Sequence, residues 1–236
     1  MSRAESLAVP AAPRLRHALR EAASDFYFNS WRLVPANALW GAAFVGLLLL
    51  PIPGLVTVIA LPLLGLPVAV IFRLATLIAR GDSVALSDGF DRRIVGPGLI
   101  IGSTVVIAVV VFAVNVASGM ANGEPLGWIF ATVAGWSLVF VWIWSLVVWP
   151  VALDPLRLAE PLRDRIRLGT LLVLAFPIRL AMMSLVITLI LGVSTVLFAA
   201  LLTISVAYAA LVSARYVLPA ADRLEGRATA AVAGAD

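Results

Sequence analysis

Residues 36–79 read ANALWGAAFVGLLLLPIPGLVTVIALPLLGLPVAVIFRLATLIA and contain one charged side chain, Arg73. A helix that crosses about 30 Å of hydrocarbon needs about 20 residues, so this segment is long enough for two spans. Leu50-Pro51-Ile52-Pro53-Gly54 interrupts it, because two prolines and a glycine favour a tight turn over a continuous helix. We therefore predict two membrane spans here, at about 36–50 and 55–79.

The whole chain has the same apolar character. Of its 236 residues, 62% are hydrophobic and 13% are charged, and the mean hydropathy is +1.07. Soluble domains carry about 25% charged and about 45–50% apolar residues. The excess indicates side chains that face lipid, and helices satisfy every backbone group in that environment. The predicted fold is therefore an all-α, polytopic transmembrane helix bundle of about six spans.

Four further spans follow, separated by polar or turn-forming segments: 96–116, 126–150, 180–196 and 197–214. Trp128 and Trp149 lie near the two ends of the span at 126–150, a spacing that predicts one tryptophan at each headgroup region.

The chain then divides into a cytoplasmic N-terminal segment, the transmembrane bundle and a disordered cytoplasmic tail. These three parts have the following bounds: 1–35, 36–216 and 217–236.

The last apolar stretch, 168–214, can be divided in two ways. Two full spans would place Arg179 near the middle of the bilayer, where a charge costs about 3 kcal/mol or more. In the other division, which we favour, an interfacial helix at 160–176 ends before Pro177 and two short spans follow. Arg179 is a membrane-surface anchor in the favoured division and a functional buried charge in the other.

The orientation follows from the arginines, because the chain contains no lysine. Four polar segments, 1–35, 80–95, 152–179 and 215–236, hold all of the 17 basic residues except Arg73. Arg73 lies in the last turns of its span and can extend its side chain to the same side. Cytoplasmic loops are enriched in Arg and Lys, so both termini are predicted to be cytoplasmic.

The sequence offers little for catalysis. It has no cysteine and one histidine, His17, so it lacks the clustered ligands of a metal site and a triad near the spans. A phosphate-binding loop has a lysine after its glycines, and the Gly96-Pro97-Gly98 turn has none. We therefore predict no enzymatic activity and assign no catalytic, cofactor-binding or metal-binding residue.

The polar residues inside the spans leave two interpretations open. Hydroxyl groups and the Gly98-x-x-x-Gly102 pattern are typical of close helix packing. Alternatively, some hydroxyl groups line a path for a neutral solute beside the span that Pro62 and Pro67 interrupt. Trp142 has the same ambiguity, because an aromatic ring can stack on a sugar or pack in the bundle. The helix at 160–176, with its charged turn from Arg163 to Arg167, could lie on the inner leaflet or bind a cytoplasmic protein.

Several short segments resemble the YesL-like family of bacterial membrane proteins. The resemblance covers residues 25–216 and includes a cytoplasmic helix before the final hairpin. The matching segments are Asn29-Ser30-Trp31, Asn37-Ala38-Leu39-Trp40, Leu50-Pro51-Ile52, Phe72-Arg73-Leu74-Ala75-Thr76-Leu77-Ile78-Ala79-Arg80-Gly81-Asp82 and Ser87-Asp88-Gly89-Phe90.

This resemblance implies a multi-pass protein of the bacterial inner membrane, of unassigned activity and linked to carbohydrate uptake. We therefore expect a non-enzymatic accessory or regulatory protein, with the lipid bilayer and components of a sugar transporter as partners. The alternative is a small transporter of neutral sugars. The candidate functional residues are Arg179, Arg73, Asn37 and Trp142, and no cofactor is expected.

Overall fold

The computed structural model describes residues 14–49, 60–197 and 201–226. These residues contain seven α-helices and no strand, which confirms the all-α class. The predicted turn at 51–54 lies outside them. The helices are α1 (Leu15–Leu49), α2 (Gly65–Arg80), α3 (Val95–Asn122), α4 (Pro125–Ala152), α5 (Leu162–Ala175), α6 (Pro177–Val196) and α7 (Val206–Leu224).

Five helical segments within the described ranges are long and apolar enough to cross a membrane, so this is a multi-pass helical membrane protein. They are 61–80, 92–122, 125–152, 177–196 and 203–224. The segments that contain α2 and α7 are mostly buried inside the bundle, whereas few residues of α3 are buried. The centre of the bundle is therefore formed by α2 and α7, and α3 presents most of its apolar surface to lipid.

Helix α1 begins much earlier than the span predicted at 36–50. Two contacts also show that it bends. Tyr208 Oη donates a hydrogen bond to the Leu19 carbonyl, while the backbone N–H of the adjacent Ala207 donates to Asn37 Oδ1. A straight helix would separate residues 19 and 37 by about 27 Å along its axis. Pro35 lies between them and favours a bend because it removes a helical hydrogen bond.

The C-terminal boundary differs from the prediction. Helix α7 continues to Leu224, so residues 217–224 are helical and the predicted disordered tail is wrong over this part. The physical reason is that Asp222 and Glu225 form ion pairs with the buried Arg157 and hold this end of the helix. Sequence alone showed only an Ala-rich stretch with scattered charges.

The divisions between the other helices lie close to the predicted ones. Helix α5 ends at Ala175 and α6 starts at Pro177, as in the division that we favoured. Helix α3 continues to Asn122 and ends at Gly123, whose φ of +66° few other residues adopt. Pro62 lies in a short 3₁₀ turn, Leu61–Leu64, so the predicted span 55–79 is irregular near its start.

Helices α2 and α3 cross at glycines. A Cβ atom placed on Gly102 would lie 2.8 Å from Gly65 Cα and 3.1 Å from the Pro62 carbonyl oxygen. Gly98 also contacts this crossing, with Ala69 Cβ at 3.2 Å from its virtual Cβ. The Gly98-x-x-x-Gly102 pattern therefore forms a close helix contact, as the packing interpretation predicted.

We expect Gly102→Ala to destabilise the protein by about 1–3 kcal/mol, because the added methyl group meets backbone atoms that cannot rotate away. The measurement is the free energy of unfolding in mixed micelles. Gly135→Ala in α4 is the matched control, since nothing lies within 4 Å of its virtual Cβ. Equal stability changes in the two variants would contradict the crossing.

Candidate functional site

Five charged side chains meet at one end of the bundle, and we call them the charge cluster: Arg80, Asp154, Arg157, Asp222 and Glu225. Arg80 is the last residue of α2. Asp154 and Arg157 belong to the segment that follows α4, and the other two carboxylates lie at the end of α7. The cluster thus joins the ends of three helices that are distant in sequence.

The geometry of the cluster is that of paired, charge-assisted hydrogen bonds. Arg80 Nη2 lies 2.5 Å from Asp154 Oδ2, and its Nη1 lies 2.6 Å from Asp222 Oδ2. Arg157 Nη2 lies 2.7 Å from Asp222 Oδ1 and 2.6 Å from Glu225 Oε2. Arg157 Nη1 also pairs with Asp154. Each guanidinium therefore bridges two or more carboxylates, an arrangement that fixes their relative positions.

Burial makes the cluster sensitive to the loss of any member. The side chains of Asp154 and Arg157 are both 0% exposed. Burial lowers the pKa of the Arg157 guanidinium, but hydrogen bonds to Glu225 and Asp222 outweigh it and hold that pKa above its usual value. Arg157 therefore remains a cation, and the cluster is suited to holding helix ends together rather than to transferring protons.

Arg73, a predicted candidate, lies beside this cluster. Its Nη1 donates a hydrogen bond of 3.0 Å to the Leu153 carbonyl oxygen, which also accepts one of 3.2 Å from Thr76 Oγ1. Arg165 of α5 donates to the neighbouring carbonyl of Ala152. The carbonyl groups at the end of α4 lack helical partners, so these side chains cap that helix. The Arg73 side chain extends toward the arginine-rich end of the bundle, which is the predicted direction. It is nevertheless buried by the protein at that end.

A second feature is a cavity of about 330 Å³ inside the bundle. Its walls come from α1, α2, α3, α4, α6 and α7 and are almost entirely apolar. The lining residues are Trp40, Val68, Phe72, Val105, Val109, Leu138, Val141, Trp142, Ser145, Leu146, Trp149, Leu191, Val206 and Ala209.

Trp142, another predicted candidate, lines this cavity but its polar atom is occupied. Its Nε1 donates a hydrogen bond of 2.9 Å to Thr188 Oγ1 of α6. Trp144 Nε1 makes the same type of bond, also 2.9 Å, to Thr170 Oγ1 of α5. These tryptophans therefore attach α6 and α5 to α4, which favours the packing interpretation over sugar stacking.

Trp149 corrects a prediction about the membrane boundary. It is only 6% exposed, and its ring stacks on Phe72 with the ring centroids 5.8 Å apart. Trp128, at the other end of α4, is 50% exposed. The spacing of the two residues in sequence could not show that the end of α4 is covered by α2. Trp149 is thus a core residue rather than a headgroup anchor.

Asn37 is fully buried and connects α1 to the start of α7. Its Oδ1 accepts a hydrogen bond of 2.8 Å from the backbone N–H of Ala207. A π-helical turn, Leu201–Ser205, immediately precedes this point. Where the hydrogen-bond register changes between π- and α-helix, a side-chain acceptor can satisfy a backbone donor. Asn37 therefore has a structural role at this helix junction.

We expect Asn37→Leu to cost about 1–3 kcal/mol of stability, because it leaves the buried N–H of Ala207 without this acceptor. Asn115→Leu is the control, since the exposed Asn115 bonds only within its own helix, to the Val111 carbonyl oxygen. Unfolding of both variants by detergent titration, followed by circular dichroism, measures the difference. An unchanged midpoint for Asn37→Leu would contradict this role.

Arg179 lies in the first turn of α6 and is exposed. Its guanidinium carbon is 5.9 Å from the centroid of the Phe176 ring, within the range of a cation–π contact. Arg179 does not line the apolar cavity. Its role as a membrane-surface anchor stays a prediction.

The charge cluster is the feature that the sequence analysis missed. The acids are present in the sequence, but no local pattern pairs them with particular arginines. Pairing of Asp154 with Arg80, and of Arg157 with Glu225, joins residues more than sixty positions apart.

No family model matches the chain, and neither a curated protein nor a solved structure matches it.

Proposed function

We propose that this chain is a non-enzymatic accessory or regulatory protein of a bacterial inner membrane that acts with a carbohydrate-uptake system. The resemblance to the YesL-like family supplies the link to sugars. We infer that the chain does not transport sugars from one observation: the lining of the cavity is almost entirely apolar. A path for sugars requires polar groups that replace the water around the solute hydroxyl groups.

We also propose six spans with both termini in the cytoplasm. The sixth crossing would be α1, which runs antiparallel to α2. His17 and Glu21 lie in one cleft with Arg80, at the end of α2. Leu39 lies in another cleft with Leu66, near the start of α2. If α2 crosses the bilayer, this arrangement favours a crossing by α1 in the opposite direction.

The alternative, a small transporter of neutral sugars, has less support from the described residues. The hydroxyl groups of Thr188, Thr170 and Ser145 are engaged in hydrogen bonds with tryptophan side chains or backbone. Uptake of labelled sugars into vesicles that contain the purified protein would establish this alternative. We expect no uptake above that of empty vesicles.

The accessory function can be tested by co-purification from native membranes. A tagged chain is expressed at its natural level, extracted in a mild detergent and analysed by mass spectrometry. We expect components of a sugar transporter to be enriched over a tagged membrane protein of similar size. Failure to enrich them would contradict the proposal.

A pair of variants locates the contact. Arg163 and Arg167 are exposed on α5, where the sequence offered a docking surface. We expect Arg163→Glu with Arg167→Glu to abolish co-purification without changing the amount of chain in the membrane. The control is Arg14→Glu with Arg16→Glu at the start of α1, where the arginines are also exposed. We expect the control variant to retain the partner.

A further inference from the structure

We propose that the apolar cavity inside the bundle is a binding site for one acyl chain of a membrane lipid. This inference is independent of the link to carbohydrate uptake. It concerns the space between the helices, which the packing of the bundle leaves open.

The dimensions of the cavity suit a chain rather than a compact ligand. Its lining extends along α4 from Leu138 to Trp149, which corresponds to about 16 Å at the rise of an α-helix. Phe72 and Val105 contribute to the walls from α2 and α3, and Ala209 contributes from α7. The site is therefore an elongated, partly open space lined by side chains from several helices.

The chemistry of the lining excludes polar occupants. The Trp142 N–H is bonded to Thr188, and the hydroxyl of Ser145 donates to the Trp142 carbonyl oxygen at 2.8 Å. A buried water needs two to four polar partners, and a sugar would lose its hydrogen bonds to water without replacement. Neither finds enough partners in this lining.

An apolar occupant is favoured for the opposite reason. An unfilled cavity removes packing contacts from the side chains around it and lowers stability. Five of the six helices that line this space are long and apolar enough to lie in a bilayer, where the acyl chains of lipids are the abundant apolar molecules. Because the cavity is partly open, one such chain can enter and fill it.

The burial of Trp149 allows a direct test by fluorescence quenching. Trp149 lines the cavity but is only 6% exposed, so lipid outside the bundle barely contacts it. A full-length chain keeps Trp149 and has its six other tryptophans replaced by phenylalanine. It is reconstituted into phosphatidylcholine vesicles whose lipids carry bromine on one acyl chain, placed near the headgroup or near the chain middle. Bromine quenches tryptophan fluorescence only at short range.

We expect the brominated vesicles to quench Trp149, and Ala209→Phe, which fills the cavity, to abolish the quenching. A second single-tryptophan chain keeps Trp136, which is 70% exposed on the lipid-facing side of α4. Its fluorescence should be quenched with and without Ala209→Phe. Absence of Trp149 quenching while Trp136 is quenched would overturn the proposal, as would equal quenching of Trp149 in the filled and unfilled cavity.

A second measurement covers the case in which the single-tryptophan chain or Ala209→Phe does not fold. Native mass spectrometry of the chain with all seven tryptophans should show one retained lipid per molecule. Val105→Phe, which fills the cavity from α3, should remove that lipid. Val139→Phe, on an exposed position of α4, should retain it. A chain without bound lipid, or one with detergent in its place, would overturn the proposal.

Discussion

Replacing Arg157 by methionine is expected to destabilise the protein by about 3–5 kcal/mol, the cost of removing one partner from a buried ion pair. Arg157 is fully buried and contacts Asp154, Asp222 and Glu225. After the substitution, Arg80 would still pair with Asp154 and Asp222, but all three carboxylates would have lost their ion pairs with Arg157. The free energy of unfolding, measured by detergent titration and circular dichroism, reports the loss.

Two variants separate this effect from a general effect of losing an arginine. Arg163→Met removes an exposed arginine from α5 and should leave the stability unchanged within about 0.5 kcal/mol. Adding Asp154→Asn to Arg157→Met removes one of the unbalanced carboxylates, so the double variant should be more stable than Arg157→Met alone. A double variant that is less stable than the single one would contradict the charge balance described here.

Trp149→Ala is the second substitution with a large expected effect. Trp149 is buried and stacks on Phe72 of α2. Loss of a buried tryptophan side chain costs about 3–5 kcal/mol in a packed interior. The thermal unfolding transition of the purified protein should therefore shift to a much lower temperature.

The matched control lies on the same helix. Trp136 is 70% exposed, and Trp136→Ala removes the same atoms from a surface that faces lipid. Its expected effect is within about 0.5 kcal/mol. Similar shifts in the two variants would contradict the burial of Trp149 in the bundle.

Composition and periodic breaks in hydropathy were sufficient to predict the helical class and most helix divisions. The division at Pro177 followed from two local facts, the missing N–H of proline and the cost of placing Arg179 in hydrocarbon. The sequence also predicted a close helix contact at Gly98-x-x-x-Gly102, although it did not identify α2 as the partner helix. Each of these predictions depended on residues that are close together in the chain.

The features that were missed depend on contacts between distant segments. The length of α7 could not be inferred from its Ala-rich sequence, because Arg80 and Arg157 hold its end. Burial of Trp149 required knowledge that Phe72 lies against it. Pairing partners of this kind cannot be identified from the composition of either segment.

The central proposal, that the chain forms six spans and that its arginine-rich end faces the cytoplasm, can be tested by cysteine labelling because the chain contains no natural cysteine. Single cysteines are placed at four exposed positions, Ala23, Ser83, Glu124 and Asp164, and treated with a membrane-impermeant maleimide. We predict that intact cells label Glu124→Cys alone, and that the other three react only after the membrane is opened. Labelling of Ala23→Cys in intact cells would show that α1 does not cross the membrane. Labelling of Ser83→Cys or Asp164→Cys in intact cells would contradict the orientation.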